Sequence, residues 1–268
     1  MGSARIAHGQ IHSVADESKN EDRKGGTGHN VVLAVVLVFP ILKVAWTVGG
    51  GDNAWDVLVA LEPKNWLDVL MGMVRNSAVL AFVLAVVVSR MTFVFMAARG
   101  SLRHGIGGRW ATTLATLMSL ISPLAFGLLM TVFFSWRWGV FTTAVAWLLR
   151  QGVVLEYRTG HRGHRERSAA LKPWQHKAIS AERIAATLLS VAVLPVVAFD
   201  VALNGESWAT LEKCQVQVGT TQESNTLIEL TRMGNGIVGW SLDRNEVANA
   251  DGCVKVDDLV VREPWWRR

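Results

Sequence analysis

Hydrophobic residues in this chain are concentrated in five long blocks, not spread at the period of a surface helix or of an exposed strand. Each block approaches the roughly 17 to 25 residues that a helix needs to cross about 30 Å of hydrocarbon. Massed apolar residues favour a membrane protein over one large soluble domain. The pattern therefore predicts an all-α membrane bundle of five transmembrane helices, over residues 31–48, 77–98, 111–134, 139–155 and 184–203.

The sequence on either side of residues 31–203 is different in character. Residues 1–30 are polar and have no periodic apolar positions, which predicts a disordered tail. From Asn204 to Arg268, short β-branched or alternating runs are separated by turn clusters such as Gly234-Asn235-Gly236. This pattern predicts a small β-rich domain over residues 204–268.

The connection between the first two blocks is amphipathic. Between Gly49 and Met73, Trp55 and Trp66 alternate with acidic residues, and Pro63 divides the segment. Tryptophan is enriched where a membrane meets water, so we expect this segment to lie along the outer headgroup plane, in two short pieces on either side of Pro63.

The number of lysine and arginine residues is alternately high and low from one connection to the next. Four precede the first block, three separate the second from the third, and seven separate the fourth from the fifth. The intervening connections contain only Lys64, Arg75 and Arg137. Because short basic loops are retained in the cytoplasm, the pattern predicts a multi-pass protein of the cell membrane with a cytoplasmic N-terminus and an extracytoplasmic C-terminal domain.

Cys214 and Cys253 are the only cysteines in the chain, and the predicted topology places both in an oxidising compartment. A disulfide between them would constrain the unfolded chain by roughly 4 kcal/mol. Two free buried thiols are the alternative.

Four charged residues interrupt the apolar blocks and are candidate functional positions, because a charge in the membrane is costly unless it is paired or snorkels. Lys43 and Asp200 fall at similar depths, which predicts either an ion pair between the first and last spans or separate snorkelling. Arg90 and Arg150 lie in the opposite half of the membrane, where the only carboxylate expected near their level is that of Glu156, closer to the surface. They either reach lipid phosphates or line a cavity for an anionic ligand.

The longest basic connection, between the fourth and fifth blocks, predicts contact with anionic lipid of the inner leaflet. The residues concerned are Arg158, Arg162, Arg165, Arg167, Lys172 and Lys177. A pI of about 9.6 could also indicate nucleic acid. However, the positive charge lies next to apolar segments, so membrane lipid is the expected partner and nucleic acid is not.

Catalytic and cofactor motifs were not found in the sequence. All seven histidines lie outside the apolar blocks, so no span supplies a haem ligand, and we expect no metal site or cofactor. The sequence favours a non-catalytic integral membrane protein whose extracytoplasmic domain serves interaction, sensing or envelope assembly, with another membrane or envelope protein as partner. A channel or transporter subunit that uses Arg90 and Arg150 for an anionic or lipid-like ligand is the alternative, and an enzyme is third.

Overall fold

The computed structural model describes residues 38–61, 65–98, 109–158, 173–218, 221–234 and 236–267. The predicted tail, residues 1–30, and four of the predicted lipid-contact residues, Arg162, Arg165, Arg167 and Lys172, lie outside this part of the chain. The described helices are α1 (Val38–Val48), α2 (Gly51–Ala60), α3 (Trp66–Asn76), α4 (Ala78–Ala98), α5 (Arg109–Phe133), α6 (Trp136–Arg158), α7 (Pro173–Leu188) and α8 (Leu194–Ala202).

Within the part of the chain that the structure describes, three helical segments are long and apolar enough to cross a membrane: Ala78–Phe95, Trp136–Leu155 and Pro173–Ala202. Many of their large apolar side chains are exposed, for example Leu148 at 58% and Val191 at 71%. Apolar surface of this kind identifies a membrane protein. The first and third predicted spans coincide with shorter apolar segments, Val38–Val48 and Leu120–Phe133, so five crossings are not confirmed.

The last helical segment begins well before the predicted fifth span. The sequence predicts that this span begins at residue 184. In the structure the helical segment begins at Pro173 and continues through a π-helical turn at Leu189–Val193 into α8. The π turn precedes Pro195, which lacks a backbone N–H and cannot continue a regular hydrogen-bond ladder. As a consequence, Glu182 is part of a helix that packs against α6.

Helices α5 and α6 form a close hairpin. A Cβ atom at Gly127 would lie 2.9 Å from the Gly139 carbonyl oxygen, and one at Gly139 would lie 2.6 Å from that of Gly127. The adjacent hydroxyls donate to the same helices, Thr131 to Gly127 O at 3.0 Å and Thr143 to Gly139 O at 2.9 Å. Small residues facing one another let membrane helices approach closely and gain van der Waals contact.

The C-terminal region forms a closed antiparallel barrel of four strands, which confirms the predicted β-rich region. The strands are β1 (Leu211–Val218), β2 (Thr221–Met233), β3 (Gly236–Ser241) and β4 (Glu246–Val256), and β1 also pairs with β4. The predicted disulfide joins Cys214 to Cys253 across β1 and β4, where the pairing register shifts.

One hydrophobic core runs from the helices into the barrel. It contains Val44 of α1 and Val57 of α2 together with Trp208, Ile228 and Trp240 from the C-terminal region. Because this core is continuous, the barrel is packed directly on α1, α2 and α3. The barrel end of a helix is the end that lies nearest to the barrel.

Candidate functional site

Lys43 joins α1 to the C-terminal end of α8. Its side chain is 1% exposed, and Nζ donates to the Val201 carbonyl oxygen at 3.0 Å and to Asn204 Oδ1 at 2.6 Å. The last carbonyl groups of a helix have no partner within the helix, so a buried ammonium is well suited to them. Asn204 is held in turn because its Nδ2 donates to Glu206 Oε2 at 2.8 Å.

The predicted ion pair between Lys43 and Asp200 is therefore wrong, although Lys43 does join α1 to α8 through other acceptors. Lys43 and Asp200, both described by the structure, form no ion pair, and Asp200 is exposed. Successive residues of a helix point about 100° apart. A side chain that reaches the carbonyl of Val201 need not face the carboxylate of Asp200.

Arg150 of α6 lies in the centre of the helix bundle and is 1% exposed. Its Nη2 donates to Ser89 Oγ at 2.8 Å, to Ser122 Oγ at 2.8 Å and to the Ser89 carbonyl oxygen. The guanidinium carbon also lies 4.9 Å from the ring centroid of Phe93. Arg150 thus connects α6 to both α4 and α5 through hydrogen bonds and a cation–π contact.

Arg90 has a carboxylate partner, contrary to the sequence-based expectation. Its Nη2 lies 3.2 Å from Glu182 Oε1, and its Nε donates to the Leu149 carbonyl oxygen at 3.2 Å. The other carboxylate oxygen of Glu182 accepts from the backbone N–H of Gly152. The expectation was wrong because the helix that carries Glu182 begins at Pro173, which brings this carboxylate into the bundle.

These contacts form two neighbouring sets of polar interactions, around Arg150 and around the Arg90–Glu182 pair, which together involve four helices. Ser89 and Arg90 come from α4, Ser122 from α5, Arg150 from α6 and Glu182 from α7. Sequence reasoning missed both serines and Glu182. Polar residues inside apolar blocks were the available signal for the serines, whereas Glu182 lay outside every predicted span.

A polar cavity of about 840 Å³ is formed by the barrel. Its hydrogen-bonding side chains come from β1, β2 and β4 and from the turn before β4: Gln215, Gln217, Gln222, Arg244, Glu246, Asn249 and Asp251. None of the residues that line it belongs to the core shared with the helices. Donors and acceptors gathered in one open cavity can bind a polar ligand through several hydrogen bonds.

Glu212 lies beside the disulfide and is 3% exposed. It accepts from Arg232 Nη2 at 3.0 Å, while Arg232 Nε lies 3.0 Å from Glu229 Oε1. The hydrogen bond with Glu229, together with the charges of Glu229 and Glu212, raises the pKa of Arg232. In the described part of the chain, the one cluster with metal-ligand spacing is Glu212, Cys214 and Cys253. The disulfide removes both thiolates from it.

The basic connection is described only at its edges. Arg158 is the last residue of α6, and Lys177 is exposed on α7. Contact of this segment with anionic lipid stays a prediction. No protein-family model, curated protein or solved structure matches the chain.

Proposed function

We propose that the protein is a non-catalytic integral membrane protein whose barrel docks a polar segment of another membrane or envelope protein on the extracytoplasmic side. The proposed role is interaction, sensing or envelope assembly. It rests on the barrel cavity and on the way the barrel is attached to the helices.

The continuous core between barrel and helices carries the proposal. Trp208, Leu211 and Trp240 are each at most 5% exposed and pack with residues of α1 and α2. A domain held on a flexible linker would explore many orientations and would lose them on binding a partner. A barrel that is already fixed on the membrane helices avoids that entropy loss.

Hydrogen bonds at the junction add to the packing. Asn65 Nδ2 donates to the Leu230 carbonyl oxygen at 2.8 Å, and Asn76 Nδ2 donates to that of Ser207 at 3.2 Å. Arg262 Nη1 donates to the carbonyl oxygen of Trp46 at 3.1 Å. Each of these bonds links a helix or the segment before it to the C-terminal region, which restricts how far the barrel can tilt.

The orientation of the barrel is part of the proposal. The alternation of basic connections supports five crossings, a cytoplasmic N-terminus and an extracytoplasmic barrel. The disulfide supports the same orientation, because disulfides form and persist in oxidising compartments. A Gln222→Cys variant should react with a membrane-impermeant maleimide in intact cells. Labelling only after permeabilisation would contradict the orientation.

Site-specific photocrosslinking in intact membranes tests the docking role. A photoreactive residue at Gln222 or at Asn249, both exposed and both lining the cavity, should trap the same partner. A photoreactive residue at Val254 should not trap this partner, because Val254 is 67% exposed on the same barrel but does not line the cavity.

A Gln217→Ala substitution should weaken the crosslink from Gln222, because these residues are direct partners across β1 and β2. Equal crosslinking from Val254 and Gln222, or a Gln222 crosslink that Gln217→Ala leaves unchanged, would overturn the docking role of the cavity.

The transport alternative stays a prediction. The contacts of Arg90 and Arg150 with protein groups support a structural use of both arginines. Flux of an anion across proteoliposomes that disappears in Arg150→Leu, while the variant remains folded, would favour transport instead.

Anionic lipid of the inner leaflet is proposed as a second partner, at the connection from Arg158 to Lys177. Each basic residue near such a surface contributes about 1 kcal/mol. A peptide covering residues 157–180 should bind anionic liposomes, and added salt should weaken that binding.

A further inference from the structure

A second cavity, of about 480 Å³, lies where α3, α4, α5 and the segment before the barrel meet. Its walls combine apolar side chains of α4 and α5 with Trp208, Ala209 and Thr210. Met71 and Phe133, at 55% and 60% exposure, lie at its boundary. The cavity is therefore open to the surface of the helices, where lipid is the available ligand.

The apolar wall along α4 fits within one lipid leaflet. The residues of this helix that line the cavity extend from Ala81 to Val88, a separation of seven residues, which spans about 10 Å of helix. One leaflet provides about half of the roughly 30 Å of hydrocarbon in a bilayer. An acyl chain that enters from the barrel side can therefore run along the whole of this wall.

The mouth of the cavity carries one charge of each sign. Asp68 and Arg75 are exposed, line the cavity, and lie two turns apart on one face of α3. Among the residues that the structure describes, neither forms an ion pair or a side-chain hydrogen bond. Both are available to a bound molecule.

The wall that carries these two charges is fixed to the rest of the protein. Gly72 lies between them on the same face, and a Cβ atom there would come within 3.0 Å of the Trp208 carbonyl carbon. The end of α3 is tied to Ser207 through Asn76. The backbone of α3 at Asp68 and Arg75 is consequently held in place relative to the apolar walls of α4 and α5.

We propose that this cavity binds a zwitterionic aminophospholipid of the phosphatidylethanolamine type, with an acyl chain along α4 and α5. Arg75 binds the phosphate, for which a guanidinium is well suited. Asp68 accepts from the primary ammonium group. A choline headgroup has no N–H to donate, and a glycerol headgroup has no positive charge, so both bind more weakly.

The test uses the full-length protein in vesicles of phosphatidylcholine that contain a minor fraction of photoreactive phosphatidylethanolamine or, in parallel, photoreactive phosphatidylglycerol. After irradiation, mass spectrometry locates the labelled peptides. Phosphatidylethanolamine should label α4 and α5 at residues that line the cavity. Arg75→Gln and Asp68→Asn should each lower this labelling about three- to tenfold, the effect of losing one charge-assisted contact at an exposed site.

Arg137→Gln is the matched control. Arg137 is an exposed arginine at the beginning of α6, near the barrel end of the hairpin, and it does not line the cavity. This variant should label like the wild type, and Ala85→Trp, which fills the cavity, should lose labelling. Arg75→Lys, which keeps the positive charge, should restore part of it.

Three results would overturn the proposal. Phosphatidylglycerol could label the cavity as strongly as phosphatidylethanolamine, which would make the site one for anionic lipid. The Asp68 and Arg75 variants could label like Arg137→Gln. The labels could also be spread evenly over the exposed helix faces, as expected of bulk lipid.

Discussion

The carboxylate of Glu182 and the guanidinium of Arg90 meet at 3.2 Å between α7 and α4, with exposed fractions of 9% and 20%. Glu182 also accepts from the backbone of Gly152, so one side chain contacts both α4 and α6. Removing one member of a shielded pair leaves the other charge without compensation, and that loss typically exceeds what the pair contributes.

Glu182→Gln should therefore lower the free energy of unfolding by about 2 to 4 kcal/mol. Arg90→Gln should have a similar effect, and the double variant should lose less than the sum of the two. Denaturation in a mild detergent, with the four proteins compared as a double-mutant cycle, measures this coupling. Additive losses would show that the two side chains do not interact.

The contact between Lys43 and the end of α8 gives a second prediction. Lys43→Met keeps much of the side-chain volume but removes the donor to Val201 and Asn204, and should cost about 1 to 3 kcal/mol. Asp200→Asn is the matched control. Because Asp200 is exposed and does not pair with Lys43, its substitution should change stability by less than about 0.5 kcal/mol. A larger loss of stability for Asp200→Asn than for Lys43→Met would instead support the ion pair predicted from the sequence.

The close approach of Gly127 and Gly139 predicts that the α5–α6 hairpin does not tolerate a branched side chain there. Gly139→Val should force the helices apart and cost more than about 2 kcal/mol. The adjacent Val140 is 62% exposed, so Val140→Leu should be nearly neutral. Thermal unfolding in detergent compares the two. A Gly139→Val protein as stable as the wild type would contradict the packing described.

The disulfide between Cys214 and Cys253 closes a loop with a sequence separation of 39 residues. The double substitution Cys214→Ser, Cys253→Ser should lower the stability of the barrel by about 2 to 5 kcal/mol. Because the barrel shares a core with α1 and α2, reduction should also increase hydrogen exchange at Val57. Faster exchange confined to the strands would show that barrel and helices unfold independently.

The sequence predicted what depends on composition and on local pattern. Apolar blocks indicated the membrane helices, β-branched runs indicated the strands, and two cysteines in one domain indicated the disulfide. Helices and strands can be predicted in this way because each depends mainly on residues close in the chain. The disulfide could be predicted because the chain contains only two cysteines.

What sequence missed depends on contacts between distant elements. Charge and depth predict Asp200 as the partner of Lys43. Its partners are instead a helix-terminal carbonyl and an amide, which formal charge does not identify. The sequence does not identify Glu182 as the partner of Arg90, because the hydrophobic pattern places the start of the helix at residue 184 and the structure places it 11 residues earlier, at Pro173. The barrel cavity and the cavity between α3, α4 and α5 are both formed by side chains that are far apart in the sequence and that only the fold brings together.

We propose that the barrel and the helices form one rigid unit, which presents the barrel cavity at a fixed height above the membrane. Spin labels at Gln222, beside that cavity, and at Val140, at the barrel end of α6, test it directly. Both native cysteines are in the disulfide and do not take up the label. Pulsed electron paramagnetic resonance in lipid nanodiscs should give a single narrow distance distribution. A broad or bimodal distribution would mean that the barrel moves on a hinge, and would contradict its rigid attachment to the helices.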